Sequence, residues 1–294
     1  MQIVVRHFGG LGNQLFQYAA GRYFAKKYGA SLRIAVEREE RLSSHGQPRP
    51  FLLPKFAISA GFRQISTLER LLLSISPRIE LATRPIRALR NIDVVRETHP
   101  QVHVFDPSLT IAAGTRTAYL VGMWQCYPPV EMIAEDLRTE LSFREPPGGQ
   151  NIELARTIQT TPNAVSVHLR RGDYAIEYPH AVLSTDYYQS AIQQMRDRLG
   201  NATFFVFSDE VAFAREFAAN HSDCVVVTHN SDESAHEDLR LMSLCQHHII
   251  ANSTFSWWGA WLNPRKEKEV ILPRKWVRFD TSEIQIALPG WGII

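Results

Sequence analysis

The second half of this chain alternates short apolar runs with longer amphipathic segments, and that alternation restricts the fold more than any other feature. VSVHLR at 165–170 precedes DYYQSAIQQMRDRL, which is entered through Ser184, Thr185 and Asp186 as cap candidates. ATFFVFS leads through Asp209 and Glu210 into EVAFAREFAAN, CVVVTHN precedes SAHEDLRLMSLCQ, and HHIIAN precedes TFSWWGAWL; EVILP is a last strand. Strands separated by helical stretches of about 10–15 residues form a parallel sheet, because each helix must carry the chain back to the starting edge. The fold class is α/β.

The N-terminus has the same grammar. QIVVRHF reads as a strand, GGLGNQ as a turn, LFQYAAGRYFAKKYG as a helix closed by Gly29, and SLRIAVE as a second strand. Glycines between a strand and a helix let a ligand approach the backbone at a helix N-terminus. A dinucleotide fold with Glu37 as its ribose acid is the competing reading, but Gly10-x-Gly12 is followed by Leu15 where a third small residue belongs. Asn13 and Gln14 both offer amide donors and acceptors toward whatever the turn holds.

From about 40 to 100 the pattern is broken by prolines and is rich in arginine, including Arg63, Arg70, Arg84, Arg87, Arg90 and Arg96. LERLLLSI reads as an amphipathic helix within a solvated insertion, with contact to anionic lipid or a phosphate-bearing acceptor as the alternative. TAYLVGMWQCY reads as a strand ending at Trp124 and Gln125, followed by a helix near VEMIAEDLRTEL. PPGGQN at 146–151 suits a connection between domains, which places the first domain at 1–150 and the second at 151–294.

Composition removes several function classes. A net charge of +2 gives no electrostatic footprint for nucleic acid. Cys126, Cys224 and Cys245 are odd in number and widely spaced, so neither a disulfide framework nor a zinc site is indicated. No apolar run reaches ~18 residues and Met1 leads directly into a strand, so the expected compartment is cytoplasmic. There is no D-x-D, no HExxH and no GxxxxGK[ST], which argues against metal use and against P-loop nucleotide hydrolysis.

Three strand ends of the second domain carry polar groups where ligands of open α/β sheets lie. The first is His168, Arg170, Arg171 and Asp173. Period two sends Val165, Val167 and Leu169 to one face and His168 and Arg170 to the other. Adjacent guanidiniums are suited to phosphate oxygens, although an Arg171–Asp173 surface pair beside a core histidine would look the same. The second is Ser208 and Asp209. The third is Asn252, Ser253, Thr254, Phe255 and Ser256, where a strand enters a helix whose N-terminus attracts anions; helix capping alone would also explain Ser253 or Thr254. Asp238, in a predicted helix, could accept two hydrogen bonds from a guanine edge, or simply be exposed.

GGLGNQLFQYAAGRYFA, VSVHLRRGDY, FFVFSDE, HEDLRLMSLCQHHIIANSTFSWWGAWL and VILPRKW together resemble glycosyltransferase family 11, the α-1,2-fucosyltransferases, and the bacterial branch in particular. The resemblance leaves residues of about 40–110 unmatched. It implies a GT-B architecture of two facing Rossmann-like domains with parallel sheets and a cleft between them. The first would lie on the acceptor side, and the last residues of the chain would pack back on it; the second would bind GDP-fucose. The implied reaction is inverting, metal-independent transfer of L-fucose from GDP-β-L-fucose to the 2-hydroxyl of a terminal β-galactose, with no cofactor. Arg170 and Arg171 would cradle the diphosphate with His168 beside them, and Gly10, Leu11, Gly12, Asn13 and Gln14 would reach the donor from the first domain. Ser208, Asp209, Asp238 and the block Asn252 to Ser256 complete the implied donor site. Trp257 and Trp258 could touch the fucose methyl, with core packing the competing reading for at least one. Arg170, Asp173 and Asn13 are the candidate catalytic residues, with His168, Asp173 and Glu177 all open as the base, and Trp124 and Gln125 are candidates for the acceptor. A lipid-linked acceptor would bring the protein to the inner face of a membrane.

Overall fold

β1, Gln2–His7, is the centre of the first sheet, with Ile3, Val4 and Val5 fully buried between neighbours on both sides. The computed structural model describes residues 1–36, 49–73, 77–97, 103–172, 181–277 and 279–294. These fall into two units, Met1–Ser142 and Phe143–Ile294.

In the first unit α1, Leu11–Tyr28, carries the chain to β2, Ser31–Val36, which pairs parallel to β1. Gly21 lets α1 lie close on these strands, since a Cβ there would stand 2.4 Å from Val5 Cγ2 and 2.8 Å from Leu32 Cδ1. The stretch after residue 49 is more regular than its prolines suggest. It holds β3, Gly61–Gln64; α2, Thr67–Leu72; α3, Pro77–Leu89; and β4, Ile92–Arg96. β5, Thr117–Val121, inserts beside β1, so five parallel strands run β3-β2-β1-β5-β4. A polar knot ties this region together: Glu69, in a capping box with Ser66, takes both terminal nitrogens of Arg63 and the Tyr119 hydroxyl. The helix expected near VEMIAEDLRTEL is two, α4 at Tyr127–Met132 and α5 at Ala134–Glu140, separated at Ile133.

The second unit opens with α6, Gln150–Thr160, and β6, Ala164–Leu169. The expected alternation follows: α7 Thr185–Leu199, β7 Thr203–Ser208, α8 Val211–Ala219, β8 Cys224–Val227, α9 Ala235–Leu244, β9 His247–Ile249, α10 Thr254–Leu262 and β10 Val270–Leu272. A short antiparallel pair, β11 Lys275–Trp276 with β12 Phe279–Asp280, precedes β13, Gly292–Ile293, which pairs parallel to β10. The sheet order is β13-β10-β9-β6-β7-β8, all parallel.

Both faces of this sheet are covered, as parallel sheets require. Val165, Val167 and Leu169 of β6 join Phe204 and Val206 of β7 under Ile192 and Met195 of α7. Phe205 and Phe207 take the opposite face, with Leu241 and Met242 of α9. The apolar trio of β6 shares one face, as period two expects, while Arg170 lies just past the strand's end at Leu169. Within the sheet Ser166 Oγ meets His248 Nδ1 at 2.8 Å and Asn263 Nδ2 meets His248 Nε2 at 2.9 Å. This Ser-His-Asn line is buried, with burial driving the His248 pKa well down, so it braces strands and has no access to a substrate.

Candidate active site

The carboxyl ends of β6 and β7 form one polar assembly organised by a carboxylate. Asp209, just past β7, accepts from Arg170 Nη1 through Oδ2 at 2.6 Å. Its Oδ1 accepts from the backbone amides of Arg171 at 3.1 Å and Gly172 at 3.2 Å. A Cβ on Gly172 would lie 2.4 Å from Asp209 Oδ2, so the close approach of backbone to carboxylate selects glycine here. Asp209 thus shapes the turn and orients the Arg170 fork, a role its sequence position beside Ser208 does not announce. Ser208 Oγ accepts from the Glu210 amide at 3.0 Å.

Arg171 diverges from Arg170. Its Nε donates to Glu210 at 3.1 Å, and its guanidinium carbon stands 4.0 Å from the centroid of the Phe213 ring on α8. The Arg171–Asp173 pair considered from sequence is a different matter, because Asp173 and Glu177 lie outside the described residues.

His168 is buried at 5% exposure, with no hydrogen-bond partner for Nδ1 among the described residues and its ring 5.7 Å from Phe255. Burial lowers its pKa to about 4; the charge of Asp209 opposes the shift and that of Arg170 adds to it. The ring is therefore neutral at pH 7 and keeps one lone pair available. Phe255 brings the α10 entrance to this face. Ser253 is the N-cap, its hydroxyl accepting from the Phe255 amide at 3.3 Å, and Ser256 Oγ donates back to the Ser253 carbonyl at 3.3 Å. Asn252 Nδ2 donates to the Ala181 carbonyl at 2.8 Å. Asn252, Ser253 and Ser256 are buried, whereas Thr254 and Phe255 are half-buried. Trp257 and Trp258 have no exposed surface.

A second cluster lies beyond β8. Asn230 Nδ2 reaches Asp238 Oδ1 at 2.7 Å and Asn151 Oδ1 at 2.9 Å, and His229 Nε2 meets Asn151 Oδ1 at 2.7 Å. Asp238 is thus neither a lone nor a fully exposed helical acid, and burial raises its pKa to about 6 against the Asn230 hydrogen bond. Asn151, His229 and Asn230 are partners that sequence reasoning missed, because 78 or 79 residues separate Asn151 from the other two.

In the first unit the glycine turn is shorter than its sequence implies. Gly9 has φ +85°, Gly10 is the N-cap of α1, and the amides of Asn13 and Gln14 already bond the Gly10 carbonyl. Leu11, Gly12, Asn13 and Gln14 are the first helical turn. Leu11 and Gly12 are buried, and Gln14 has no exposed surface. Gln14 bonds the carbonyls of Gly9 at 3.0 Å and Pro50 at 2.7 Å and the amide of Leu52 at 3.0 Å, so it anchors the 50–52 segment. Asn13 remains at the surface of the turn, with Oδ1 accepting from Gln125 Nε2 at 2.9 Å.

β5 ends at Val121, before the expected Trp124 and Gln125, because Trp124 takes φ +58°. A half-buried carboxylate stabilises that conformation: Glu97 accepts from the amides of Met123 at 2.8 Å and Trp124 at 3.0 Å. The Trp124 ring turns inward to an edge contact with Phe24 and is 4% exposed, leaving Gln125 as the half-buried member of the pair. Burial pushes the Glu97 carboxyl up to about 7 from an ordinary 4.5, against the two amide bonds. Between those values the folded chain holds a proton that the unfolded chain has lost, so this group makes stability fall as pH rises through the window. The urea midpoint should therefore fall less steeply from pH 4.5 to 7 in Glu97→Gln than in the natural chain; parallel slopes would remove Glu97 from the pH response.

Among the described residues no three His, Cys, Asp or Glu side chains gather into a metal-binding group. The model of glycosyl transferase family 11 matches residues 92–294. The O-antigen biosynthesis glycosyltransferase WbnK of Escherichia coli is 32% identical over 306 aligned positions, covering 96% of this chain and 97% of that protein. An α-1,2-colitosyltransferase of the same species is 30% identical, covering 96% and 94%. Among solved structures, NodZ α-1,6-fucosyltransferase soaked with GDP-fucose superimposes with a TM-score of 0.55 at 18% identity, over 96% of each chain. The two parallel-sheet units are those of the GT-B fold.

Proposed function

This chain belongs to glycosyl transferase family 11, and from that premise we propose that it transfers L-fucose from GDP-β-L-fucose to the 2-hydroxyl of a terminal β-galactose in a glycan acceptor. The observation that carries the donor side is the Arg170 fork, fixed by Asp209 at the carboxyl end of β6. In a single displacement the bond between fucose C1 and the β-phosphate oxygen breaks as the bond to the galactose oxygen forms. The hydroxyl proton leaves to a base or to water, and GDP departs with the electron pair. Charge grows on the phosphate oxygens, and an oriented guanidinium stabilises it without reorganising. Arg170 takes this role, Arg171 and the N-terminus of α10 assist, and no divalent cation is required.

The donor assignment extends to Asp238, positioned by Asn230 to accept from the guanine edge. His168, Ser208, Thr254 and Phe255 would line the diphosphate and sugar, with Asn252, Ser253 and Ser256 shaping the strand-to-helix entrance from inside. Asn13 and Gln125 offer paired amides for sugar hydroxyls, and Asp173 is retained as a candidate for orienting Arg170 or serving as base. Colitose is a second donor reading, favoured by the colitosyltransferase relative; it is fucose without the 3-hydroxyl.

The test is GDP release with EDTA present, comparing GDP-fucose with GDP-colitose, each with and without a panel of β-galactosides. Acceptor-dependent release from GDP-fucose is the expected result. Preference for GDP-colitose would change the donor, and loss of release on adding EDTA would overturn the metal-free reading. GDP binding without release from either donor would leave a binding protein.

A further inference from the structure

On α3 the residues Ala82, Pro85, Ile86 and Leu89 recur at i, i+3, i+4 and i+7, the spacing of one helical face. In an ordinary surface helix that face is inward. Here all four are exposed, Leu89 at 87%, while Thr83 is the buried residue at 2%. The neighbouring α2, which packs against α3, adds Leu68 at 39% exposure and Leu71 at 50%.

The stretch that carries it is predominantly basic. From Arg70 to Arg90 the sequence carries five arginines and a single acid, Glu80. Arg90, directly after Leu89, is exposed at the edge of the stripe, while Arg84 is exposed on the far side of the helix. An exposed apolar helical face flanked by an arginine in a basic stretch is the composition of a helix lying in a membrane interface, where apolar side chains enter the acyl boundary and guanidiniums reach anionic headgroups. α3 has 13 residues, against the ~20 needed to span a bilayer, and no described helix is long and apolar enough to cross one. The alternative occupant, a second copy of the chain, fits less well. Six apolar side chains fall far short of the roughly 20–30 residues a side of a standard interface, and like charges would face each other across it.

We propose that α2 and α3 form a surface that docks this protein on an anionic phospholipid bilayer, with the Ile86–Leu89 stripe inserted and Arg90 on the headgroups.

The test is co-sedimentation of the full chain with phosphatidylcholine vesicles and with phosphatidylcholine–phosphatidylglycerol vesicles. Binding to the anionic vesicles alone, weakened by added salt, is expected. Replacing Ile86 and Leu89 together by Asp should abolish it. Arg90→Gln should lower the partition coefficient about five-fold. All three side chains are exposed, so these variants should unfold at the same urea concentration as the natural chain. Equal binding to both vesicle types, no binding, or unchanged binding by either variant would overturn the proposal. Self-association in the absence of vesicles, lost on replacing Ile86 and Leu89, would instead assign the face to a second copy.

Discussion

Arg170→Ala is expected to lower turnover about 100-fold or more, in the range seen when one preorganised electrostatic donor is removed from a transition state. The loss should fall on the chemical step, because the guanidinium is most useful when the β-phosphate has gained charge. The fold should survive, since Asp209 would still hold the amides of Arg171 and Gly172 and so preserve the turn. Arg170→Lys should recover only part of the rate: an ammonium keeps the charge and loses the planar fork. Asp209→Asn supplies the complementary measurement. It leaves an oxygen for the amides but removes the charge that orients Arg170, so its rate should lie between those of Arg170→Ala and the natural chain. Single-turnover release of GDP reads the chemical step directly. A well-folded Arg170→Ala enzyme within two-fold of the natural rate would remove this residue from the mechanism.

Trp257→Ala is expected to destabilise the second unit by about 3–5 kcal/mol, the usual cost of emptying a buried tryptophan site. The ring has no exposed surface and lies 5.1 Å from the Trp258 ring and 5.7 Å from that of Trp291. Its Nε1 donates to the Ile286 carbonyl at 2.7 Å, so the substitution also strips a buried carbonyl of a partner. Urea unfolding followed by circular dichroism measures the change. A loss below ~1 kcal/mol, accompanied by weaker donor binding, would return Trp257 to the sugar contact considered from the sequence.

How much of this was legible depended on where the information sits in the chain. The β/α alternation after Ala164 is readable because strands covered on both faces are largely apolar, as FFVF of β7 is, and because β6 alternates cleanly. β3, with GFRQ, and β4, with IDVVR, carry no strand signal in the sequence. Both are edge strands with only Val95 buried between them, so neither presents a continuous apolar run. The start of α1 was misplaced because Gly12 and Asn13 have poor helix propensity, while the Gly10 carbonyl already bonds the amides of Asn13 and Gln14.

In the site, the arginine pair declares itself because charge at a strand end has few other uses. What positions it does not. Asp209 is 39 residues from Arg170, and Glu97 grips amides 26 and 27 residues away; neither spacing is a motif. Gln14 and Trp124 carried the right chemistry for a ligand but turn inward, since both the 50–52 segment and the Phe24 side chain require them. Only packing reveals that choice.

The order of the first sheet also bears on how the chain must be made. β5 lies between β1 and β4 although it is the last of the five strands to be synthesised. Until Thr117–Val121 leaves the ribosome, β1 has one open edge and β4 has no neighbour in the sheet. A growing chain thus carries an apolar strand with unpaired amides and carbonyls, the kind of edge that captures other chains. At roughly 5–20 residues per second, the interval from β4 to β5 lasts seconds. This family member should therefore be most prone to misassembly during that interval, and a pause in translation just upstream of residue 117 should reduce its soluble yield more than a pause after residue 142.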